Sequence, residues 1–259
     1  MTASGRNTGS RSAAVDLTRL DQEVIDWIRR QTASNGHMAF RDQHLSPADL
    51  ERFVGRLGRL MFTPGERPLP GHRYVFEVTN RHRTTKPKSV FYSDTSYVAD
   101  PPSFTALAAV EVPHRGGATL IVDQYATDRC APPDLVELMA GLELLHIPTR
   151  VGDPDDAGDG AWHPVQRRHP LTGRRSLFLS ARERLAGSRR HGIVHTDADA
   201  HRLIDRIHIH ATTSVPPHVH EWAKGDVLLI DNRCTLHAAD HSQVEGHRTL
   251  HRVMCADPS

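Results

Sequence analysis

Short runs of β-type residues, separated by Pro, Gly and Asp, fill most of the sequence after Tyr74. These runs do not alternate regularly with helical segments, as the strands of a parallel α/β sheet would. The sequence also lacks a glycine-rich phosphate-binding loop. We therefore predict a mainly β fold with helices outside it, of the sandwich or barrel kind. The predicted strands cover residues 38–40, 75–79, 89–92, 104–112, 119–122, 142–146, 176–179, 227–230 and 250–255.

Four segments have the pattern of helices that pack an apolar face against a sheet. Apolar residues recur at helical spacing over residues 16–33, and Asn35-Gly36 is a typical helix end. Ser46-Pro47 is a typical helix start, with a capping serine followed by proline at the first helical position. Further helices are predicted over residues 132–141 and 199–207.

Size and composition limit the classes of protein. The 259 residues predict one domain over 15–259, after a disordered tail at 1–14 that is rich in Ser, Thr, Gly and Arg. The net charge is +1 and the basic runs are interpreted as solvated loops, so no nucleic-acid partner is predicted. Apolar stretches are too short to cross a bilayer, and the three cysteines form no C-x-x-C pair. We expect a cytoplasmic protein without a membrane partner.

Two arginines on the predicted last strand are candidates for binding an anion. Arg248 and Arg252 are four residues apart, so in a strand they point to the same face of the sheet. If buried, such a pair would need anionic partners, and guanidinium groups bind carboxylates through paired charge-assisted hydrogen bonds. On an exposed strand the same pair would be ordinary surface charge. The sequence leaves both alternatives open.

Candidate metal ligands occur in two places. Tyr92 and Asp94 share one face of a predicted strand, and His237 follows another strand, although a histidine there is commonly an ordinary hydrogen-bonded residue. The pairs His208-x-His210 and His218-x-His220 also have metal-like spacing. Because nineteen histidines make such spacings common by chance, we interpret both pairs as surface features.

Several motifs, in order along the chain from about residue 38, resemble those of the taurine/2,4-D dioxygenase (TauD/TfdA) family. They are Phe40 to Pro47, Asp100-Pro101-Pro102, Val112 to Thr119, His163-Pro164-Val165 with His169-Pro170 and Gly173-Arg174, and Asp231-Asn232-Arg233 through His237 to Arg248 and Arg252. Their number and order make the resemblance specific. The family fold, a distorted double-stranded β-helix (a cupin-like jelly roll) flanked by helices, agrees with the predicted strands.

The resemblance implies a non-heme Fe(II)/2-oxoglutarate-dependent oxygenase and assigns roles to single residues. In that family a His-x-Asp motif and a distal histidine bind iron, which leaves positions open for 2-oxoglutarate and oxygen. Asp94 and His237 match two of these ligands. Arg248 matches the arginine that holds the distal carboxylate of 2-oxoglutarate, and Thr119 matches the threonine that assists it. Arg252 matches a position that meets an acidic group of the substrate.

The implied reaction is hydroxylation, or a related C–H oxidation, of a small anionic substrate, with succinate and CO2 as co-products. The resemblance places substrate selection in loops, here around residues 63–90, 150–162 and 181–197. Related enzymes often self-associate, so a homo-oligomer is compatible with the resemblance. The alternative is a relative with a degenerate metal site, which binds a small acid or performs non-oxidative chemistry.

Tyr92 occupies the position of the family's first histidine ligand. A phenol must lose a proton to bind a metal, and its pKa of about 10 makes this cost roughly 4 kcal/mol at neutral pH. Tyr92 could still ligate iron, or Asp94 and His237 could hold iron with 2-oxoglutarate and water completing the sphere. Another histidine could replace it, with His82 the nearest upstream candidate. Otherwise the site has lost the family's redox chemistry.

Overall fold

The computed structural model describes residues 15–62, 66–81, 89–148 and 160–258. Within these residues the helices are α1 Gln22–Asn35, α2 Pro47–Leu57, α3 Gln124–Arg129, α4 Pro133–Met139 and α5 Asp197–Thr213. The strands are β1 His37–Phe40, β2 Arg59–Met61, β3 Phe76–Thr79, β4 Phe104–Glu111, β5 Thr119–Asp123, β6 Leu142–His146, β7 Ala161–Pro164, β8 Gln166–Arg168, β9 Arg175–Leu177, β10 Leu185–Arg190, β11 Ile193–Val194, β12 His218–His220, β13 Val227–Asp231, β14 Thr235–Ala239 and β15 Thr249–Ala256. A 3-10 turn covers Arg182–Arg184.

The largest sheet has the long strands β4 and β15 beside each other near its centre. Its order is β1-β13-β4-β15-β2, all neighbours are antiparallel, and β3 also pairs with β15. Every residue of β15 and the first six of β4 are buried. Because consecutive residues of a strand face opposite sides of the sheet, these strands need a packed layer on each side. The predicted strands at 104–112 and 250–255 are confirmed.

Helices α1 and α2 cover one face of this sheet. Asp21 caps α1 and Ser46 caps α2, each by accepting a hydrogen bond from a backbone N–H three residues later. Gly36 ends α1 with φ of 80°, a left-handed conformation that glycine adopts without strain. The apolar core under the helices includes Ile25, Ile28, Phe40, Leu50, Phe53, Leu57, Phe104 and Val253.

A three-stranded sheet in the order β12-β5-β14 covers the other face. Ile121 of β5 packs in one apolar cluster with Leu107, Leu228 and Leu250 of the main sheet. The two sheets therefore form a sandwich, and the polar residues described below lie between them. β14 brings His237 into this space.

A smaller sheet, in the order β11-β10-β6-β7, packs against α5 around its own apolar cluster. The helix predicted over residues 199–207 is confirmed but is longer at both ends. Thr196 accepts a hydrogen bond from the Asp199 N–H and so starts the helix earlier, and the buried apolar spacing continues to Ala211.

Some expectations differ from the structure. Residues 89–92, predicted as a strand, form only a single bridge between Tyr92 and His237, because the chain turns directly afterwards. His220, interpreted as a surface feature, is buried against Trp222 with ring centroids 4.4 Å apart. The tail predicted at 1–14 lies outside the described residues. Among those described, no helix combines the length and apolarity needed to cross a membrane.

Candidate active site

Tyr92 and His237 are joined through their backbones. The N–H of Tyr92 donates to the carbonyl of His237 at 3.0 Å, and the N–H of His237 donates back at 2.9 Å. Residues paired in this way extend their side chains to the same side of the sheet. The two rings are accordingly in contact, with centroids 4.6 Å apart.

Asp94 lies in the turn that follows this bridge, and not on a strand with Tyr92 as the sequence predicted. Its side chain nevertheless enters the same space and is buried. Thr105 donates a hydrogen bond to Asp94 Oδ2 at 2.7 Å, and Asn232 Nδ2 donates to the Thr105 hydroxyl at 2.8 Å. Two residues of the main sheet thus fix the orientation of the carboxylate.

Asp94 Oδ2 and His237 Nε2 are 3.5 Å apart. Burial by itself would raise the pKa of Asp94, but Arg252, His237 and Thr105 together lower it below its usual value. Burial lowers the pKa of His237, and Asp94 opposes this only in part. The pair therefore consists of a carboxylate and a neutral imidazole at pH 7. Adjacent oxygen or nitrogen ligands of an octahedral cation stand about 3 Å apart, so these two side chains fit a metal ion.

Tyr92 does not complete such a ligand set in its neutral form. Burial, followed by the neighbouring Asp94 carboxylate, raises the pKa of Tyr92 to about 12. The phenol therefore keeps its proton at neutral pH. Among the residues that the structure describes, no third His, Cys or carboxylate joins Asp94 and His237 in a three-ligand group. His82, the nearest upstream candidate, lies outside the described residues.

Arg248 is a buried cation at the other end of the same space. Its Nε donates to the Gly117 carbonyl at 2.8 Å, and its Nη2 donates to the Thr119 hydroxyl at 3.1 Å. Gly117 has φ of 78°, and a Cβ there would lie 2.9 Å from Pro113 and 3.2 Å from the Arg248 side chain. Burial lowers the pKa of Arg248 to about 10. No described carboxylate forms an ion pair with it, so the site favours an anionic ligand.

The Thr119 hydroxyl is oriented by two donors. Arg248 Nη2 and Trp222 Nε1 each donate to its oxygen at 3.1 Å. A hydroxyl that accepts two hydrogen bonds still has one proton to donate. Thr119 can therefore donate to an anion that Arg248 attracts.

Arg252 is also buried, but it differs from Arg248 because carboxylates contact it. Its Nη1 lies 3.3 Å from Asp94 Oδ1, and its Nη2 lies 2.5 Å from Glu66 Oε2. Both arginines are thus buried, and the alternative of an exposed pair is wrong.

The residues that the sequence singled out line one narrow cavity of about 30 Å³. Its walls are formed by Val78, Tyr92, Asp94, Leu107, Thr119, His237, Ala239, Arg248, Leu250 and Arg252. This volume is close to that of a single water molecule, so a ligand of several carbon atoms requires some of these side chains to move.

A buried ionic network holds the turn that precedes β14. Asp231 accepts hydrogen bonds from Arg233 Nε at 2.9 Å and Nη2 at 2.6 Å, and its Oδ2 lies 2.9 Å from His169 Nε2. Arg233 also pairs with Asp257 at 2.7 Å. With Cys234, His169 and Asp231 form the one group of three potential metal ligands among the described residues. Because Arg233 and His169 already satisfy the Asp231 carboxylate, we interpret this group as structural.

The Asp231→Asn substitution is expected to destabilise the protein by about 3 kcal/mol, because it leaves Arg233 buried with one carboxylate fewer. Burial tends to raise the pKa of Asp231, but Arg233 and His169 lower it below the unfolded value of about 3.9. Its stabilising contribution is therefore complete above that pH and is lost as the pH falls through the folded-state pKa. Urea denaturation between pH 3 and 7 measures both effects.

The partly exposed Asp257 offers the matched control for this network. Asp257→Asn is expected to cost less and to leave the acid dependence in place. An Asp231→Asn protein as stable as wild type would contradict the structural role of the network.

A family model described as "Taurine catabolism dioxygenase TauD, TfdA family" matches residues 4–254. The chain belongs to the TauD/TfdA family. Enzymes of this family are 2-oxoglutarate-dependent dioxygenases that use Fe(II). The predicted family and its cofactors are thereby confirmed at the level of the family.

Similar proteins cover nearly the whole chain. The (S)-phenoxypropionate/alpha-ketoglutarate-dioxygenase of Sphingobium herbicidovorans is 28% identical over 97% of this chain and 93% of its own. The alpha-ketoglutarate-dependent 2,4-dichlorophenoxyacetate dioxygenase of Cupriavidus pinatubonensis is 30% identical over 65% of this chain and 60% of its own. The crystal structure of a taurine dioxygenase from Burkholderia xenovorans has a TM-score of 0.79 at 26% identity and covers 95% of this chain and 86% of that one. The predicted jelly-roll fold is confirmed.

Several residues that contact the site had no signal in the sequence. Thr105 lies inside an otherwise apolar strand, and Glu66 is separated from its partner Arg252 by 186 positions. Arg184 belongs to a basic run that we interpreted as a solvated loop. Its guanidinium carbon lies 5.6 Å from the centre of the Tyr92 ring.

Proposed function

We propose that this protein is an Fe(II)/2-oxoglutarate-dependent oxygenase that oxidises a C–H bond of a small anionic substrate. The observation that carries the proposal is the shared cavity, into which Asp94, His237 and Arg248 all project. A carboxylate and an imidazole at one end and a buried cation without a carboxylate partner at the other match the needs of a metal ion and a dicarboxylate. Family membership supports the same reaction class.

In this proposal Asp94 and His237 are the protein ligands of the iron. Thr105 and Asn232 keep the Asp94 carboxylate aimed at the His237 imidazole before any metal binds. Arg248 binds the distal carboxylate of 2-oxoglutarate, and Thr119 donates a further hydrogen bond to it. Bound Fe(II) and 2-oxoglutarate supply the oxidising chemistry, with succinate and CO2 as co-products.

The anionic substrate is supported by the chemistry of the surroundings and by the relatives. The Arg184 guanidinium lies over the Tyr92 ring, so the surroundings of the pocket include a cation besides the one assigned to the cosubstrate. The relatives named above for phenoxypropionate and dichlorophenoxyacetate take their names from carboxylates. We also propose a cytoplasmic location, for which the unpaired cysteines are compatible evidence.

A second candidate function follows from position 92. Tyr92 stands where the family resemblance places a histidine ligand, and Arg252 contacts the carboxylate that the iron would need. A relative that has lost iron binding would keep the anion site at Arg248 and Thr119. It would bind a small acid or perform non-oxidative chemistry.

Anaerobic titration with Fe(II) and 2-oxoglutarate distinguishes the two. The oxygenase is expected to develop the weak visible charge-transfer band of a chelated 2-oxoglutarate–iron complex and then to release succinate in air. Tight 2-oxoglutarate binding without that band, and without metal in anaerobically purified protein, would instead support the acid-binding relative. The control is the surface variant Arg202→Gln, which leaves the site untouched. A substitution at Ala239 would not serve, because that residue lines the cavity.

A further inference from the structure

Arg252 is held between two carboxylates of the protein itself. Asp94 lies 3.3 Å from its Nη1 and Glu66 lies 2.5 Å from its Nη2. Two negative charges around one guanidinium leave no excess positive charge at this position. An anionic group of a substrate placed there would face Glu66 directly, and like charges in a partly buried site repel each other strongly. Glu66 therefore makes Arg252 a poor receptor for an anion.

Arg184 is a cation near the pocket that, like Arg248, forms no ion pair with a carboxylate of the described residues. It ends the 3-10 turn Arg182–Arg184 and is partly exposed. Its guanidinium carbon lies 5.6 Å from the centre of the Tyr92 ring.

The Arg184 guanidinium lies over the Tyr92 ring but makes no hydrogen bond within the part of the chain that the structure describes. No carboxylate there forms an ion pair with it, and its buried Nε has no hydrogen-bond acceptor. The backbone around it is fixed, since its N–H donates to Ala181 and its carbonyl accepts from Ile147, both at 2.9 Å. A positioned guanidinium with unused donors is suited to bind a carboxylate or sulfonate.

We propose that Arg184, and not Arg252, receives the anionic group of the substrate. The substrate class is a small carboxylate or sulfonate that extends from Arg184 past Tyr92 toward Asp94 and His237. Glu66 has the complementary role of occupying Arg252, which then serves to hold the Asp94 carboxylate. The inference rests on the proposed function, because it assigns the substrate's anion within that site.

The test is a ligand-observed NMR titration of protein saturated with 2-oxoglutarate. The probes are acetate, methanesulfonate and phenoxyacetate, with phenoxyacetamide as the neutral counterpart of the last. We expect at least one anion to bind the wild type and Arg184→Gln to weaken it about tenfold or more, the effect of losing a charged hydrogen bond. Binding of phenoxyacetamide should not change. Arg182→Gln, in the same turn but paired with Asp205, is the matched control.

Two further variants separate the roles of the arginines. Arg184→Lys keeps the positive charge but not the fork of donors, so it should bind the anion more tightly than Arg184→Gln and more weakly than the wild type. Melting temperatures check the fold of each variant. Adding Glu66→Gln to Arg184→Gln should restore part of the affinity, because it uncovers Arg252. The proposal is overturned if no anion binds the wild type, or if Arg184→Gln binds anions as the wild type does.

Failure of the proposed function would be visible separately. It would appear as absent 2-oxoglutarate binding in the first step of the same experiment. The anion titration is then carried out on the Arg248→Met protein, where no probe can use the cosubstrate position. If the Arg184→Gln/Arg248→Met protein no longer bound the anion that the Arg248→Met protein binds, the assignment of Arg184 would still be supported. Equal binding by the two proteins would overturn it.

Discussion

Replacing Arg248 with methionine is expected to remove 2-oxoglutarate binding while leaving the fold intact. Arg248 is buried with no described carboxylate partner, so its charge is available to an anionic ligand. Losing one partner of a buried, hydrogen-bonded charge pair typically costs at least about 2 kcal/mol, or roughly 30-fold in affinity. For the protein alone, removing the buried charge relieves its desolvation cost, which offsets the loss of the hydrogen bonds to Gly117 and Thr119, so we expect little change in stability. Calorimetric binding and thermal melting measure the two effects.

A loss of ligand affinity without a loss of stability identifies a ligand-binding arginine. Arg115→Met is the matched control, because Arg115 is exposed and pairs with Glu245 on the surface. It should leave 2-oxoglutarate affinity unchanged. If Arg248→Met bound 2-oxoglutarate normally, or if its melting temperature fell steeply, Arg248 would be a structural residue and the proposed cosubstrate site would be wrong.

Replacing Tyr92 with histidine is expected to raise the affinity for Fe(II) by about 10- to 100-fold or more. The backbone bridge fixes position 92 opposite His237, so a new imidazole would begin close to the existing pair of ligands. Even the loss of a residue that only supports a metal ligand weakens affinity about 10- to 100-fold, and gaining a direct ligand should be worth at least that. Anaerobic Fe(II) titration, followed by succinate release without added substrate, measures the gain.

Tyr92→Phe is the control that separates the two possible states of the phenol. If the phenol stays protonated, as its raised pKa indicates, the phenylalanine variant should bind Fe(II) as the wild type does. A clear loss of affinity in Tyr92→Phe would show instead that the phenolate ligates the metal. No gain in Tyr92→His would contradict the assignment of Asp94 and His237 as the other two ligands.

The sequence predicted the strands and residues whose signals are local. The long central strands were recognisable from uninterrupted β-type runs, and the start of α2 from Ser46-Pro47. The resemblance to the family predicted that Asp94, His237, Arg248 and Thr119 share one site. The structure brings all four to the same cavity. Asp94 was assigned to a strand although it lies in a turn. Two residues that are two positions apart, such as Tyr92 and Asp94, point to the same side in a strand, but a turn can place them in the same way. The sequence pattern therefore does not distinguish the two structures.

The remaining elements could not be predicted for physical reasons. β12 has three residues, two of them histidines, and β10 contains Gly187 and two arginines, so neither has an apolar pattern. The pairing of Glu66 with Arg252 depends on two segments that meet only after the main sheet has formed. Whether a charge is neutralised in the folded state is a property of tertiary contacts. Comparison with the family's motifs therefore identified Arg252 as a site residue but did not identify the carboxylates that contact it.

The two hydrogen bonds that link Asn232 to Thr105 and Thr105 to Asp94 have a consequence for how this fold can diversify. Both supporting residues belong to or adjoin strands of the main sheet, whereas Glu66 and Arg184 lie on connecting segments. Under the role proposed for Arg184, mutations in its segment can change which anions bind while Thr105 and Asn232 keep the orientation of the Asp94 carboxylate. Reactivity and selectivity can thus evolve at different rates in one small protein, since each depends on a separate part of the scaffold.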